Sequence, residues 1–530
     1  MTASIRILTT SSLDSSPSLL LVSPNGSKTL INCGEGCQRS FLESSSTPAG
    51  VGSLRVSSVN RICLTHINHD ALGGLPGMIL TTADVAEAAA VEFKLQNNLE
   101  RGDQKRKASM ISNDGMPDLE IVGPVGTKAF LHSLRHFMRR DRFNVHTYEG
   151  QFDSSTRKKS SQNGGSANKR TKMKMQKNNE ETSFSIESIQ ITYTVSNTEP
   201  SKSHQNTKHV ASYVFTTPPI PGKFLIEKAR ELNVPMGPLC GQLKAGKTVT
   251  FIDPKTNEER TVESTDVVAK ASPGVGVAVI YCPNKQVLEE LKISSTIRAF
   301  QKNSDNDASS VQLDVIVHLT PKTIFESNAY QSWCAEFKSG VDHITLHVAE
   351  NIEERAASNN SSPFVSAMRG SARRSFIHDE LFPMPEIPMP MSDYIKDIHP
   401  LTFTKGCPMM EYLLMPRSKR GLNTSTIKSL YSPTEMDDLV TEVTLTGALQ
   451  LAKKILLRQD ANMSVDKNGN ESNCNLGELI FTGTGSAVPC KHRNVTGMYL
   501  RMKNGNSMLL VAWWQTFARA QTSLLLMGLL

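Results

Sequence analysis

Leu64-Thr65-His66-Ile67-Asn68-His69-Asp70-Ala71-Leu72-Gly73-Gly74 follows a strand-like run, Val59 to Leu64, and leads into a helix-like stretch beginning near Leu75. A strand, a polar turn and a helix in that order place functional groups at a strand end, held by rigid elements on both sides. Upstream, Ser4 to Leu8, Ser18 to Val22 and Lys28 to Asn32 read as further short strands. The turn Pro24-Asn25-Gly26 between the last two is a strong hairpin signal, because both Asn and Gly tolerate positive φ.

At 530 residues the chain is long enough for two to four domains with real cores. Lys and Arg number 58 against 51 Asp and Glu, a net charge of +7 that permits an anionic partner without requiring one. Nine cysteines lie scattered with no CxxC pair. Reduced thiols in an intracellular protein are therefore expected, without a zinc ribbon or a disulfide framework. Ser4-Ile5-Arg6-Ile7-Leu8 follows the first residues directly, so neither a signal peptide nor a transit segment is expected. The late apolar run Leu524 to Leu530 is far shorter than the roughly eighteen residues of a membrane helix, so no membrane partner is expected.

Residues 98–118 and 153–182 read as polar insertions. Between Arg157 and Lys177 the second holds eight basic and no acidic residues, and it is expected to stay solvated and disordered. Residues 300–311, 355–375 and 382–391 read as loops, and 459–475 as a linker. An internal repeat spans these divisions. Ile7-Leu8-Thr9-Thr10-Ser11-Ser12 recurs as Ile480-Phe481-Thr482-Gly483-Thr484-Gly485-Ser486, and Pro24-Asn25-Gly26-Ser27-Lys28-Thr29-Leu30-Ile31-Asn32 as Lys503-Asn504-Gly505-Asn506-Ser507-Met508-Leu509-Leu510-Val511. The first copy continues as Cys33-Gly34-Glu35-Gly36, the second as Ala512-Trp513-Trp514-Gln515. One complete unit and the first hairpins of another are expected. Strands without partners cannot close a core, so residues 477–530 are expected to be poorly ordered or aggregation-prone.

The strand-end stretch resembles the signature loop of the metallo-β-lactamase superfamily, His-x-His-x-Asp-His with a glycine eight residues after the first histidine. In that superfamily the loop aims imidazoles and a carboxylate at two zinc ions, which generate a hydroxide nucleophile. His66, Asp70 and Gly74 fall in register; Asn68 and Ala71 stand at the second and third histidine positions, and His69 is one residue out of phase. An amide is a poor zinc ligand and a methyl group is none. His66 and Asp70 are thus expected to form a degenerate metal loop, with no catalytic residue, no metal site and no cofactor in this chain. His318, His343 and His347 occur singly near strand-like runs and read as core or surface residues.

A second block, Phe224-Leu225-Ile226-Glu227-Lys228-Ala229-Arg230-Glu231-Leu232-Asn233-Val234-Pro235-Met236-Gly237-Pro238-Leu239-Cys240-Gly241-Gln242-Leu243-Lys244-Ala245-Gly246-Lys247-Thr248-Val249, reads as a short amphipathic helix, a Gly/Pro turn and a basic hairpin. It resembles the flexible arm of tRNase Z, which in that family clasps the tRNA elbow away from the cleavage centre. The resemblance implies tRNA contact by Lys223, Lys228, Arg230, Gly237, Pro238, Leu239, Gly241, Lys244 and Lys247, the cations meeting phosphates through salt-dependent contacts.

An arm beside a degenerate zinc loop resembles long-form tRNase Z in particular, whose two fused halves divide the work: the amino half keeps the arm without zinc ligands, the carboxyl half the reverse. Pro489, Lys491, Arg493 and Asn494 resemble the family's Pro-x-Lys-x-Arg-Asn sequence, which implies binding of the tRNA 3′ end by Lys491, Arg493 and Asn494. The fold this implies is α/β: an αββα sandwich over 1–455 with its arm at about 218–262, a linker at 456–476, and a truncated start of the catalytic sandwich at 477–530. The family removes 3′ trailers from precursor tRNA by zinc-dependent hydrolysis, in nucleus and/or mitochondrion. This chain is expected to bind precursor tRNA without cutting it. A non-catalytic regulatory tRNA-binding protein and another RNA-processing factor of the same fold are the alternatives, the arm arguing against the latter.

Overall fold

The computed structural model describes residues 2–12, 15–44, 54–100, 118–136, 138, 143–153, 183–195, 206–219, 222, 224–253, 258–269, 273–301, 311–357, 364–375, 395–398, 401–423, 441, 447, 450–451, 454, 478–483, 496–502 and 506–510. Most of the two polar insertions, the loop 382–391, the 456–476 linker, and the site residues Lys223, Lys491, Arg493 and Asn494 lie outside the described residues.

Six strands come from the amino end: β1 Ala3–Thr9, β2 Ser18–Val22, β3 Lys28–Ile31, β4 Val59–Cys63, β5 Asp118–Gly123 and β6 Asn144–Glu149. There follow β7 Ser185–Val195, β8 Asn206–Thr216, the short pair β9 Val249–Ile252 and β10 Glu259–Val262, then β11 Gly274–Tyr281, β12 Val311–Thr320 and β13 Asp342–His347. The remaining strands are β14 Ile395–Ile398, β15 Leu401–Lys405, β16 Glu411–Met415, β17 Gly421–Asn423, β18 Glu478–Gly483, β19 Gly497–Arg501 and β20 Ser507–Leu510. One eight-stranded sheet runs β17-β16-β1-β2-β3-β4-β5-β6 and a seven-stranded sheet runs β14-β15-β13-β12-β11-β8-β7.

Both large sheets are apolar on both faces, as sheets covered on both sides must be. Ile5, Ile7, Leu19, Leu21 and Ile31 of the first sheet share one core with Ile186, Val214, Val277, Val279 and Val315 of the second. The intervening residues Leu20 and Leu30 face the other way, into a core with Phe41 of the helix Cys37–Ser44 and with Leu75, Met78 and Ile79 of the helix Leu75–Glu100. On the far side, Val287, Leu288 and Leu291 of the helix Lys285–Ile293, and Tyr330 and Trp333 of the helix Asn328–Cys334, cover the second sheet. The result is four layers, α, β, β, α. The seven described cysteines are all free thiols, and no described helix is long and apolar enough to cross a membrane.

β18, β19 and β20 form a three-stranded antiparallel sheet of their own. Its ladder repeats that of β1 to β3. Arg6 pairs Leu20 and Ile7 pairs Leu19 before a register break at Ile7/Thr9; Ile480 pairs Tyr499 and Phe481 pairs Met498 before a break at Phe481/Gly483. Leu19–Ile31 and Leu20–Leu30 are matched by Met498–Leu510 and Tyr499–Leu509. Ile7 therefore corresponds to Phe481, one residue on from the Ile480 that sequence comparison aligns with it. Ile5 and Ile7 are each 2% exposed, but Leu479 is 47% and Phe481 59% exposed. Residues 478–483, 497–501 and 507–510 thus form strands, where poor order was one expectation, because three strands satisfy one another's backbone groups through a local ladder; residues 511–530 lie outside the described residues.

Two other expectations change. Residues 355–375, read as a loop, include the end of the helix Ile352–Ala357 and all of the helix Val365–Ser375. In the hairpin after β2, only Gly26 takes positive φ (+85°), while the Asn25 side chain accepts a hydrogen bond from the Ser27 N–H at 3.0 Å.

Candidate functional site: a strand-end centre and a projecting arm

The ends of β3 and β4 meet through backbone and side-chain bonds that fix the 65–74 loop. Asn32, at φ +56° just past β3, accepts from the Thr65 N–H at 2.9 Å and donates from Nδ2 to Thr65 Oγ1 at 3.0 Å. The Cys33 N–H donates to the Ala71 carbonyl at 2.9 Å and the Gly74 N–H to the Cys33 carbonyl at 2.8 Å. A Cβ at Gly34 would stand 2.3 Å from the Asp70 carbonyl oxygen, and one at Gly74 2.4 Å from the Gly34 carbonyl oxygen. Backbones approach so closely here that only glycine fits. The second sheet holds the same loop from inside: the Ala211 N–H donates to the Thr65 carbonyl at 2.7 Å, and Tyr213 OH to the Leu64 carbonyl at 2.6 Å.

His66 and Asp70 do converge on this strand end, but neither is open. The His66 ring lies against Tyr281, centroids 4.2 Å apart and planes 12° from parallel, with Nδ1 2.8 Å from Thr65 Oγ1. Its Nε2 is buried without a hydrogen-bond partner. Burial pushes the imidazole down to about 4, against the opposing pull of Asp70. For Asp70, burial favours the neutral acid, yet the Arg355 guanidinium beside it holds the carboxyl below the usual range. Ser16 Oγ also donates to Asp70 Oδ1, at 3.0 Å. Arg355, 285 residues away in the chain, carried no sequence signal of this role.

Asn68 and Ala71 serve the local fold. Asn68 Oδ1 accepts from the N–H groups of Asp70 (2.9 Å) and Ala71 (3.3 Å), capping the helix His69–Leu72. The Ala71 methyl is fully buried. The His69 side chain is 41% exposed, its Nδ1 4.0 Å from Asp70 Oδ1. One buried imidazole and one carboxylate already paired with Arg355 do not make up the three or four ligands a zinc ion takes, so the residues present do not fit the superfamily's metal centre.

Among the described residues, His318, Cys334 and His343 form the grouping whose donor atoms lie within 4.8 Å of one another. Singletons in the sequence, the two histidines meet because β12 and β13 pair in parallel. His318 Nε2 stands 3.0 Å from His343 Nδ1 and His318 Nδ1 2.8 Å from Tyr330 OH. Burial pushes the Cys334 thiol up, away from the thiolate a metal would need.

The arm leaves the second sheet between β8 and β11, which pair directly with each other. Its helices Ile226–Glu231, Pro238–Lys244 and Ser264–Val267 and the β9–β10 hairpin enclose a separate core of Ala229, Val234, Leu243, Val249, Phe251, Val262 and Val267. The expected basic hairpin is corrected here: Pro238 opens a helix, Gly241 and Leu239 lie within it, Lys244 ends it, and the hairpin starts only at Val249. Proline is well placed at a first helical turn because its missing N–H has no partner there to lose. Gly237, at φ +146°, makes the turn before it. Lys228, Arg230, Lys244 and Lys247 are all exposed, as is Met236.

Two face-to-face sheets with helices outside and a glycine-pinned loop at a strand end define the metallo-β-lactamase fold, shared with a crystal structure of a long-form RNase Z from yeast: TM-score 0.52, 15% identity, 98% of this chain and 62% of that one covered. No protein-family model matches the chain. It is similar to a mitochondrial tRNase Z of Arabidopsis thaliana, 24% identical over 526 residues that span 94% of this chain and 50% of the relative. It is also similar to zinc phosphodiesterase ELAC protein 2 of Homo sapiens, 22% identical over 551 residues that span 98% and 56%. These likenesses point to the long-form tRNase Z proteins as its relatives, and the chain spans about half the length of the curated relatives it matches.

Proposed function

We propose that this chain is the tRNA-binding, non-cutting half of a long-form tRNase Z, holding precursor tRNA while a zinc centre outside residues 1–455 removes the 3′ trailer. One observation carries the reading: an arm with its own core, standing off the second sheet and presenting Lys228, Arg230, Lys244 and Lys247 to solvent. Cations on a projection with its own core suit a polyanion's backbone, which calls for charge rather than a pocket. Gly237, Pro238, Leu239 and Gly241 shape the turn and helix that carry Lys244, and Lys223 is assigned to the same tRNA contact. The strand-end loop supports the non-catalytic part, since its donors do not suit zinc. In the same reading residues 456–476 link to a second sandwich beginning at 477, and Lys491, Arg493 and Asn494 contact the RNA 3′ end. Two relatives are named mitochondrial, which supports action in mitochondria.

The test is tRNA binding by the full chain across a salt series. Replacing Lys244 and Lys247 together with Ala should weaken binding and reduce the salt slope by about one for each lysine. Unchanged affinity and slope would remove the arm from the interface. Chelator-sensitive trimming of a precursor tRNA by this chain alone would contradict the non-catalytic part.

A further inference from the structure

The carboxylate of Asp70 is the one charged oxygen donor of the degenerate loop, and its side chain is only 15% exposed. On its own side of the sandwich it receives the neutral Ser16 hydroxyl. Its counter-charge arrives from the other side: Arg355, on the helix that follows β13 of the second sheet, donates from Nη2 to Asp70 Oδ1, its own side chain 16% exposed. A carboxylate withdrawn from water needs a fixed positive charge nearby, and either a metal ion or a guanidinium meets that need. The guanidinium also supplies directed donors in a rigid fork. The other groups at this strand end are committed elsewhere: Asn68 Oδ1 to the helix cap, the Ala71 methyl to the core, and the His66 ring to Tyr281.

We propose that Arg355 is the resident cation of this centre. Its guanidinium neutralises Asp70 and ties the 65–74 loop of the first sheet to the helix after the second sheet, so that the loop keeps its shape with no metal ion. The inference rests on the reading of this half as non-catalytic, but its test measures stability and metal content rather than RNA, so either can fail alone.

The experiment is a double-mutant cycle in the full chain, with Asp70→Asn, Arg355→Met and the pair, followed by thermal unfolding. Arg355→Met should lower Tm by several degrees by stranding a carboxylate, while the double variant falls by clearly less than the sum of the singles. Arg355→Lys should keep part of the lost stability, because the charge remains. Chelator should leave the wild-type Tm unmoved and the purified protein should hold no stoichiometric zinc. Should Arg355→Met not fold, a folded double variant reports the same coupling. Additive single effects, equal losses for the Lys and Met variants, or a chelator-sensitive wild-type Tm would each overturn the proposal.

Discussion

His318 Nε2 and His343 Nδ1 lie 3.0 Å apart on neighbouring parallel strands, their rings 14° from parallel and their centroids 5.3 Å apart. Two imidazoles so placed share one proton between them, which excludes protonating both, and their burial disfavours even one positive charge. Burial pushes His343 down to about 4 and His318 well below its ordinary value, the latter further lowered by His343.

Stability should therefore fall in mild acid. Unfolded, each imidazole takes a proton near pH 6.5; folded, each resists it, so falling pH favours the unfolded chain from about 6.5 down through about 4. Urea midpoints measured from pH 8 to pH 4 should decline across this window, and His343→Gln should flatten the decline. A midpoint level over the whole range would contradict the neutral pair.

Arg420 bolts the two sheets together beyond β16. It reaches Asp314 at 3.1 Å, Asp342 at 3.1 Å and the Tyr412 hydroxyl at 2.9 Å, and Asp314 is fully buried. Arg420→Ala leaves Arg417, 3.0 Å from Asp314, as the remaining charge on that carboxylate. Because that charge remains and Asp342 is half exposed, a loss of about 1–3 kcal/mol in urea unfolding is expected, that of the lost charge-assisted hydrogen bonds. Arg420→Lys should recover little, because one ammonium cannot span three acceptors.

Gly74→Ala should be far worse than Gly26→Ala. The first puts a methyl group 2.4 Å from a backbone oxygen; the second meets open space and is strained only by a φ of +85°. Roughly 3 kcal/mol or more is expected for Gly74 and about 1 kcal/mol for Gly26. Equal unfolding midpoints for the two variants would refute the close approach.

Leu243→Ala should damage the arm alone. Leu243 is fully buried in a core that contains arm residues only, so the usual ~2–5 kcal/mol of a buried leucine falls on that element. Proteolysis should then cut within 224–268 and tRNA affinity should drop, while the sandwich keeps its urea midpoint. Global unfolding at lower urea would mean that arm and sandwich share stability.

Local chemistry made the strand-end loop and the arm legible. His66, Asp70 and Gly74 lie within nine residues, although the close approach that requires Gly74 comes from the Gly34 carbonyl, far off in the chain. Arg355 was hidden because its partner is far off in the chain and its surroundings, polar and serine-rich, read as loop; in the next helix, Val365–Ser375, buried Met368 and Ala372 show the packing that the composition concealed. Pro238 and Gly241 read as breakers, yet burial of Leu243 and the bond from Ser264 Oγ to its carbonyl at 2.7 Å hold that helix. His318 and His343 became a pair only through strand register, which their separate positions in the sequence do not reveal.

The amide of Asn68 makes the missing imidazole hard to bring back. Once a residue in a would-be ligand position terminates a helix, any reversion to histidine must first give up two bonds to backbone N–H groups before it gains anything from an ion. A histidine at position 68 would thus start from the loss of a helix cap, about 1 kcal/mol, so the loop's own secondary structure favours the amide that stands there.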